Sequence, residues 1–269
     1  MNVAVSAERE RVSWKQIALG AAAGCGLMFL IIPILIIIPL SFSSALYLRF
    51  PPPGFSLQWY DRFFGHPEWM ASLWLSLRVA VMSMIVTVVL GVAAAMALVR
   101  GRFPGKTAVY ALILSPVIVP TIITAIAIYF FFARFHLIGN PLAMALGNSV
   151  VALPLVVIIV SATLQGLDPR LEQAALSLGA SPGTAFLKVT LPLIGPGVVS
   201  GALFAFLTSF DELLIPLFLS GPTTMPLTVR IWTDIIMQID PTIAAVSSFL
   251  IAVALLILGL ACVLRRARA

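Results

Sequence analysis

Six apolar stretches, each about 20 residues or longer, match the length a helix needs to cross a bilayer. They occupy residues 17–41, 72–99, 108–133, 145–164, 193–219 and 242–264. Together they take up more than half of the chain, and 61% of all residues are apolar against 10% charged. A soluble domain carries about 25% charged residues, so this chain lacks the polar surface a water-soluble body needs. Disorder is excluded by the same imbalance, because it requires low hydrophobicity and high net charge. The expectation is an all-α, polytopic membrane protein with six transmembrane helices.

The first stretch comes after Arg9, Arg11 and Lys15. A cleaved signal peptide has an apolar region of only about 7–15 residues, so a retained first span is the better reading. The chain accordingly divides into a tail over 1–16, a first transmembrane helix over 17–41, and an external loop with interfacial aromatics over 42–71. A core over 72–264 contains a cytoplasmic segment over 165–192, and a basic tail closes the chain over 265–269. Trp59, Tyr60, Trp69, Trp74 and Trp232 are read as aromatics at the membrane–water boundary.

The charges set an orientation. With the N-terminus inside, Arg9, Arg11, Lys15, Arg100, Arg102, Lys106, Arg170, Lys188, Arg265, Arg266 and Arg268 fall in cytoplasmic segments, 11 of the 16 basic residues. This asymmetry favours both termini in the cytoplasm, and it explains a net charge of +6 without nucleic acid. Cys25 and Cys262 lie in separate apolar runs and read as packing residues. His66 and His136 have no ligand-spaced partners, and no nucleophile-and-base motif appears, so neither a metal nor a catalytic residue is expected. Gly101-Arg-Phe-Pro-Gly105-Lys106-Thr107 has three residues between its glycines where a phosphate loop needs four. It reads as a basic turn.

The segment over 165–192 carries more order than a connector needs. Asp168-Pro169 is a helix start, an Asp cap followed by proline at the first helical position. Leu171, Ala174, Ala175 and Leu178 then recur at helical spacing, and Gly179 stands where a left-handed cap ends such a helix. Ser181-Pro182 starts a second short helix by the same logic. Periodicity alone leaves two uses open, a docking element for another protein or an amphipathic pair lying on the membrane.

The residues themselves resemble the EAA loop of the permeases of ATP-binding-cassette (ABC) importers. The pattern is Glu-Ala-Ala, three residues, Gly, nine residues, then Ile-x-Leu-Pro. Here Ala174, Ala175, Gly179, Val189, Leu191 and Pro192 fall on it, with Gln173 at the usual Glu position and Glu172 one residue earlier. Arg100-Gly-Arg-Phe-Pro-Gly-Lys106 and Ser209-Phe-Asp-Glu212 make the chain most similar to spermidine/putrescine-type permeases. The resemblance implies a type I importer permease fold in a bacterial inner membrane, with two ATPase subunits, a second and different permease chain, and an external substrate-binding protein. It implies that ATP and Mg are bound on the ATPase and no cofactor on this chain. Glu172, Gln173, Ala174, Ala175, Leu178, Gly179, Ala180, Ser181, Pro182, Leu191 and Pro192 are then the ATPase-docking residues.

Asp211 and Glu212 are acidic residues at membrane depth, roughly 27 Å along the fifth span at about 1.5 Å per residue. Such groups face a bundle interior or a watery cavity. One reading has a carboxylate lining the pathway for a cationic substrate such as a polyamine, with Thr208 one turn earlier. The other pairs a carboxylate with Arg78 on the second span. Set against the importer is an ion-coupled secondary transporter, which would leave the 165–192 segment without a task.

Overall fold

The computed structural model describes residues 14–237 and 241–266, with side chains described over 18–237 and 241–256. Twelve helices are assigned among the described residues: α1 (Trp14–Ser41), α2 (Gln58–Gly65), α3 (Pro67–Arg100), α4 (Lys106–Ile118), α5 (Thr121–Ala133), α6 (Pro141–Gln165), α7 (Pro169–Ser177), α8 (Pro182–Ala185), α9 (Leu191–Asp211), α10 (Leu214–Leu219), α11 (Leu227–Met237) and α12 (Thr242–Arg266). A π-helical turn, Phe186–Thr190, joins α8 to α9. The chain forms two compact units, Pro67–Thr233 and the pairing of Met1–His66 with Asp234–Ala269.

In the larger unit α3, α6 and α9 pack together. The reason is written along α3, where Ser72, Ser76, Ala80, Ser83, Thr87, Gly91 and Ala95 recur every three or four residues and all are buried. Lipid tails are as apolar as leucine, so membrane helices gain by close contact, and small residues permit it. Val156 of α6 shows how tight the fit is. A Cβ added to Gly91 of α3 would lie 2.6 Å from its Cγ1, and one added to Gly201 of α9 would lie 3.3 Å from the same atom. A Cβ at Gly197 would collide with the Thr163 hydroxyl. The spacing Gly197-x-x-x-Gly201 is therefore the face on which α9 meets α6, while Gly20 and Gly24 of α1 have nothing within 4 Å.

Polar bonds cross the same interface. Asn148 donates its side-chain amide to the Ser209 carbonyl and hydroxyl at 3.1 and 2.9 Å, and Ser83 and Ser149 meet at 3.2 Å. Two apolar clusters complete the packing. One gathers Val79, Phe132, Met144, Ile215 and Leu219, the other Val92, Val156, Val160, Leu164 and Ile194.

The expected third span is not one straight helix. α4 and α5 meet at a bend of 107°. Pro120 caps α5 in an extended conformation and lacks the amide that would continue α4. Four helical stretches, Ala18–Ser41, Pro67–Arg100, Pro141–Gln165 and Pro182–Asp211, are long and apolar enough to cross a bilayer, and the bent pair makes a fifth if counted as one span. α12 runs for 25 residues, with Thr242–Leu256 apolar among its described part.

In the smaller unit α1 and α2 both pack against α12, the second through Phe63 and Phe64 on Phe249. Two expectations are corrected in this unit. Trp59 is not a boundary anchor: it is 4% exposed, and its indole donates to the Ser43 carbonyl at 2.7 Å, which folds the loop after α1. Cys25 does not pack within the chain and is exposed on α1. In the larger unit Trp69 is likewise 4% exposed, whereas Trp74 and Trp232 remain open at 60% and 41%.

Candidate functional site

The 165–192 segment begins as its caps dictate. The Asp168 carboxylate accepts the Arg170 amide at 2.9 Å, and Pro169 opens α7. At the other end Gly179 has φ +89°, the amide of Ala180 donates to the Ala175 carbonyl, and that of Gly179 to the Leu176 carbonyl. Only a residue without a Cβ takes this left-handed conformation at no steric cost. Ser181 then accepts the Thr184 amide at 3.3 Å and starts α8.

The second helix is not a separate short one. α8 continues through the π turn Phe186–Thr190 straight into α9, so Pro182–Asp211 is one helical stretch of 30 residues. π turns are rare in helices and are frequent at functional sites. Here the turn lies where the segment meets the fifth span, with Thr190 buried and Leu191-Pro192 opening α9. A push on α8 is thus delivered to α9 through continuous helix.

α7 buries none of its residues in the chain. Leu171, Leu176 and Leu178 are exposed at 45%, 44% and 89%, and Gln173, Ala174, Ser181 and Pro182 are also open. Ala175 and Ala180 are half-buried. Glu172 is different. Its carboxylate lies 3.3 Å from the Arg100 guanidinium Nε, and the same guanidinium donates through Nη2 to the Leu167 carbonyl at 3.1 Å. In the sequence Arg100 is one more basic residue recording orientation; its position at the end of a long helix does not identify its partner.

At the far end of α9 the helix stops after Asp211, because Glu212 turns extended at ψ 127°. The Glu212 carboxylate accepts the amides of Leu214 and Ile215 at 3.0 and 3.4 Å, and its carbonyl accepts the Thr228 hydroxyl at 3.0 Å. A carboxylate at the amide end of a helix is favoured by the backbone dipole. Glu212 is therefore the joint between α9 and α10, and among the described residues neither Asp211 nor Glu212 forms the alternative ion pair with Arg78. Arg78 lines a cavity of about 700 Å³ with Glu68, Trp74 and Arg230. Arg230 in turn pairs with Glu68 at 2.9 Å. Asp211 is exposed and has no hydrogen-bond or ion-pair partner among the described residues, and Thr208 one turn earlier is half-buried. Among the described residues no group of three or more His, Cys, Asp or Glu side chains gathers as a metal site.

Residues 87–268 match the family described as the binding-protein-dependent transport system inner membrane component. The chain belongs to that family. It is a permease subunit of an ABC importer. The permease is 33% identical over 233 residues to the putrescine transport system permease protein PotI of Escherichia coli (strain K12), covering 84% of this chain and 83% of that protein. It is 31% identical over 241 residues to the spermidine/putrescine permease PotC of Haemophilus influenzae, covering 88% and 92%. The molybdenum transport permease ModB of Mycobacterium bovis is 33% identical over 208 residues, covering 72% and 79%. A chain of a bacterial ABC transporter involved in the import of the acidic polysaccharide alginate shares the fold, with a TM-score of 0.69, 15% identity and coverage of 93% and 95%. The family match sets the secondary-transporter alternative aside.

Proposed function

We propose that this permease moves a small cationic solute of the polyamine class inward across the bilayer, and that Asp211 is the carboxylate that draws it to the pathway. The observation that carries the reading is the exposed carboxylate at the end of α9, without a partner among the described residues, in a chain a third identical to a putrescine permease. The contacts of the Glu212 carboxylate with the Leu214 and Ile215 amides support assigning it to the helix joint and not to the pathway. Thr208 lines the approach one turn below.

Both termini lie in the cytoplasm, and with them the 165–192 segment. That segment docks an ATPase subunit through Gln173, Ala174, Leu178, Gly179, Ala180, Ser181 and Pro182. Glu172 and Ala175 hold it to shape from the inner side, and Leu191-Pro192 transmit its motion. Two ATPase subunits supply ATP and Mg, a second and different permease chain completes the pathway, and a binding protein delivers solute at the outer end. Nucleotide binds the two states of the assembly unequally, which is how it shifts the pathway between outward and inward access. The α7–α8 turn carries the shift to α9, and no residue here does covalent chemistry.

The test is ATP-dependent uptake of radiolabelled putrescine by proteoliposomes holding the full complex and its binding protein. Saturable uptake that weakens in Asp211→Asn is expected. The similarity to the molybdenum permease ModB supports a second reading, a small solute of another class chosen mainly by the binding protein. Mass spectrometry of the ligand retained by that binding protein separates the two: an oxyanion found there would replace the polyamine.

A further inference from the structure

Residues 79–99 of α3 carry no charge, and an arginine closes this stretch at each end, Arg78 and Arg100. At about 1.5 Å per residue the two lie roughly 33 Å apart along the helix, close to the hydrocarbon thickness of a bilayer, about 30 Å. Arg100 finds its partners in Glu172 and the Leu167 carbonyl. Arg78 is exposed and has neither a hydrogen-bond nor an ion-pair partner among the described residues. With Arg100 on the cytoplasmic side, Arg78 stands at the headgroup level of the outer leaflet.

Two cavities of the larger unit meet at this arginine. The outer one, of about 700 Å³, is lined by Glu68, Ser72, Thr224 and Arg230 together with Trp74 and Arg78. The other, of about 440 Å³, shares Trp74 and Arg78 and continues along α3 over Leu77, Val81 and Met82. In the outer cavity Arg230 is held on three sides. It pairs with Glu68 at 2.9 Å, donates through Nε to the Ser72 hydroxyl at 3.2 Å, and lies 5.7 Å from the centre of the Trp69 ring. Glu68 is thereby neutralised, and Arg78 is left as an unbalanced positive charge. A cavity so charged repels a cationic solute and suits an anion.

We propose that Arg78 binds the phosphate of an anionic phospholipid of the outer leaflet, with the headgroup in the outer cavity and the upper acyl chain along Leu77, Val81 and Met82. A guanidinium offers a phosphate two parallel donors, which fixes its place as well as its charge. Trp74, 60% exposed and common to both cavities, stands at the boundary that tryptophan favours. A free anion, or an acidic loop of a soluble protein, would match the charge of the outer cavity and leave the apolar groove below it bare. A lipid fills both, because its own polarity changes at the same depth. The choice of leaflet rests on the orientation proposed above, and the site itself does not.

Native mass spectrometry of the full complex in mild detergent tests it, with phosphatidylglycerol, phosphatidylcholine and inorganic phosphate as probes. One phosphatidylglycerol kept in preference to phosphatidylcholine is expected. Arg78→Ala weakens its retention by about fivefold, the order expected for one basic residue at an anionic surface. Arg78→Lys keeps the charge without the paired donors and falls between the two. Val81→Trp narrows the apolar groove and weakens retention with Arg78 in place, while Arg134→Ala removes an exposed charge outside both cavities and changes nothing. An unchanged melting temperature shows that the variants fold, and the Arg78 pair carries the test if Val81→Trp does not. Equal retention of the two lipids, equal losses in Arg78→Ala and Arg134→Ala, or displacement of the lipid by inorganic phosphate overturns the proposal. So does weaker binding of the substrate-binding protein by Arg78→Ala with lipid retention unchanged, which would assign the arginine to that protein. Retention in detergent is blind to leaflet and solute, so failure here leaves the proposed function standing, and a reversed orientation would leave the lipid site standing.

Discussion

Arg100 and Glu172, 72 residues apart, meet at 3.3 Å and fix the last turn of α3 to the first turn of α7. Each side chain keeps about a fifth of its surface, at 21% and 20%, so water screens the pair only in part. Pairs of this kind contribute about 0.2–1 kcal/mol. Their effect here is directional: the segment proposed to receive motion from the ATPase is held to α3 as well as being continuous with α9.

Arg100→Ala and Glu172→Gln each lower ATP-driven uptake by up to about fivefold, the upper end of that range. The ATPase still co-purifies, because the exposed face of α7 is intact. Exchanging the two charges restores part of the uptake, since the reversed pair re-forms but the bond from Arg100 to the Leu167 carbonyl does not. Uptake and bound ATPase measured on the same proteoliposomes check this. An exchange no better than the single variants shows that the pair is not the connection.

Gly179 is expected to be intolerant for a backbone reason. Nothing lies within 4 Å of where its Cβ would be, so a larger residue has room, but φ +89° costs a residue with a Cβ about 1–2 kcal/mol. Asn visits this conformation more readily than a β-branched residue does. The amount of ATPase subunit co-purified therefore falls in the order Gly179, Gly179→Asn, Gly179→Val. Leu178→Asp, at a position 89% exposed, releases the ATPase with no change in melting temperature. Retention of the ATPase by both Gly179→Val and Leu178→Asp would move docking away from this turn.

Legibility in the sequence depended on whether local chemistry or a distant partner set each residue's place. Asp168-Pro169, Gly179 and Ser181-Pro182 carry their conformations in their own side chains, and the helix ends fall where those residues put them. Asn140-Pro141 holds the same signal, with the Asn140 side chain accepting the Leu142 amide at 2.8 Å, and it places the start of α6 at Pro141 rather than near residue 145. The opposite case is Glu212, whose carboxylate reads as a membrane charge needing a cation. Its partners are the amides of Leu214 and Ile215, which stand open only because α9 stops at Asp211. Trp59 fails for the same reason, since an indole reaching the Ser43 carbonyl cannot be told by composition from one facing lipid.

The Val156 slot predicts where the bundle has no slack. Gly91→Leu, Gly201→Leu and Gly197→Leu each force α6 away from a neighbour, and overpacking of this kind costs about 1–3 kcal/mol. Gly20→Leu meets nothing within 4 Å and is neutral in the isolated chain. Thermal unfolding in detergent, followed by tryptophan fluorescence, separates the groups. A Gly20 variant as destabilised as the other three would show that packing between helices does not set the cost, since leucine has the better helix propensity at all four positions.

Asp211 and Glu212 should part company when stability and transport are measured together. Glu212→Ala removes the acceptor of two α10 amides and lowers stability by about 0.5–2 kcal/mol, the cost of losing a helix-start cap. Glu212→Gln keeps an oxygen at that place and changes stability and uptake little. Asp211→Asn removes a charge with no partner among the described residues, so melting is unchanged, while the KM for a cationic solute rises and maximal uptake is retained at saturating solute. Melting curves and uptake kinetics on the same preparations give the comparison. A stable Glu212→Gln variant that loses as much uptake as Asp211→Asn would put both carboxylates on the pathway, since the cap alone could not account for the loss.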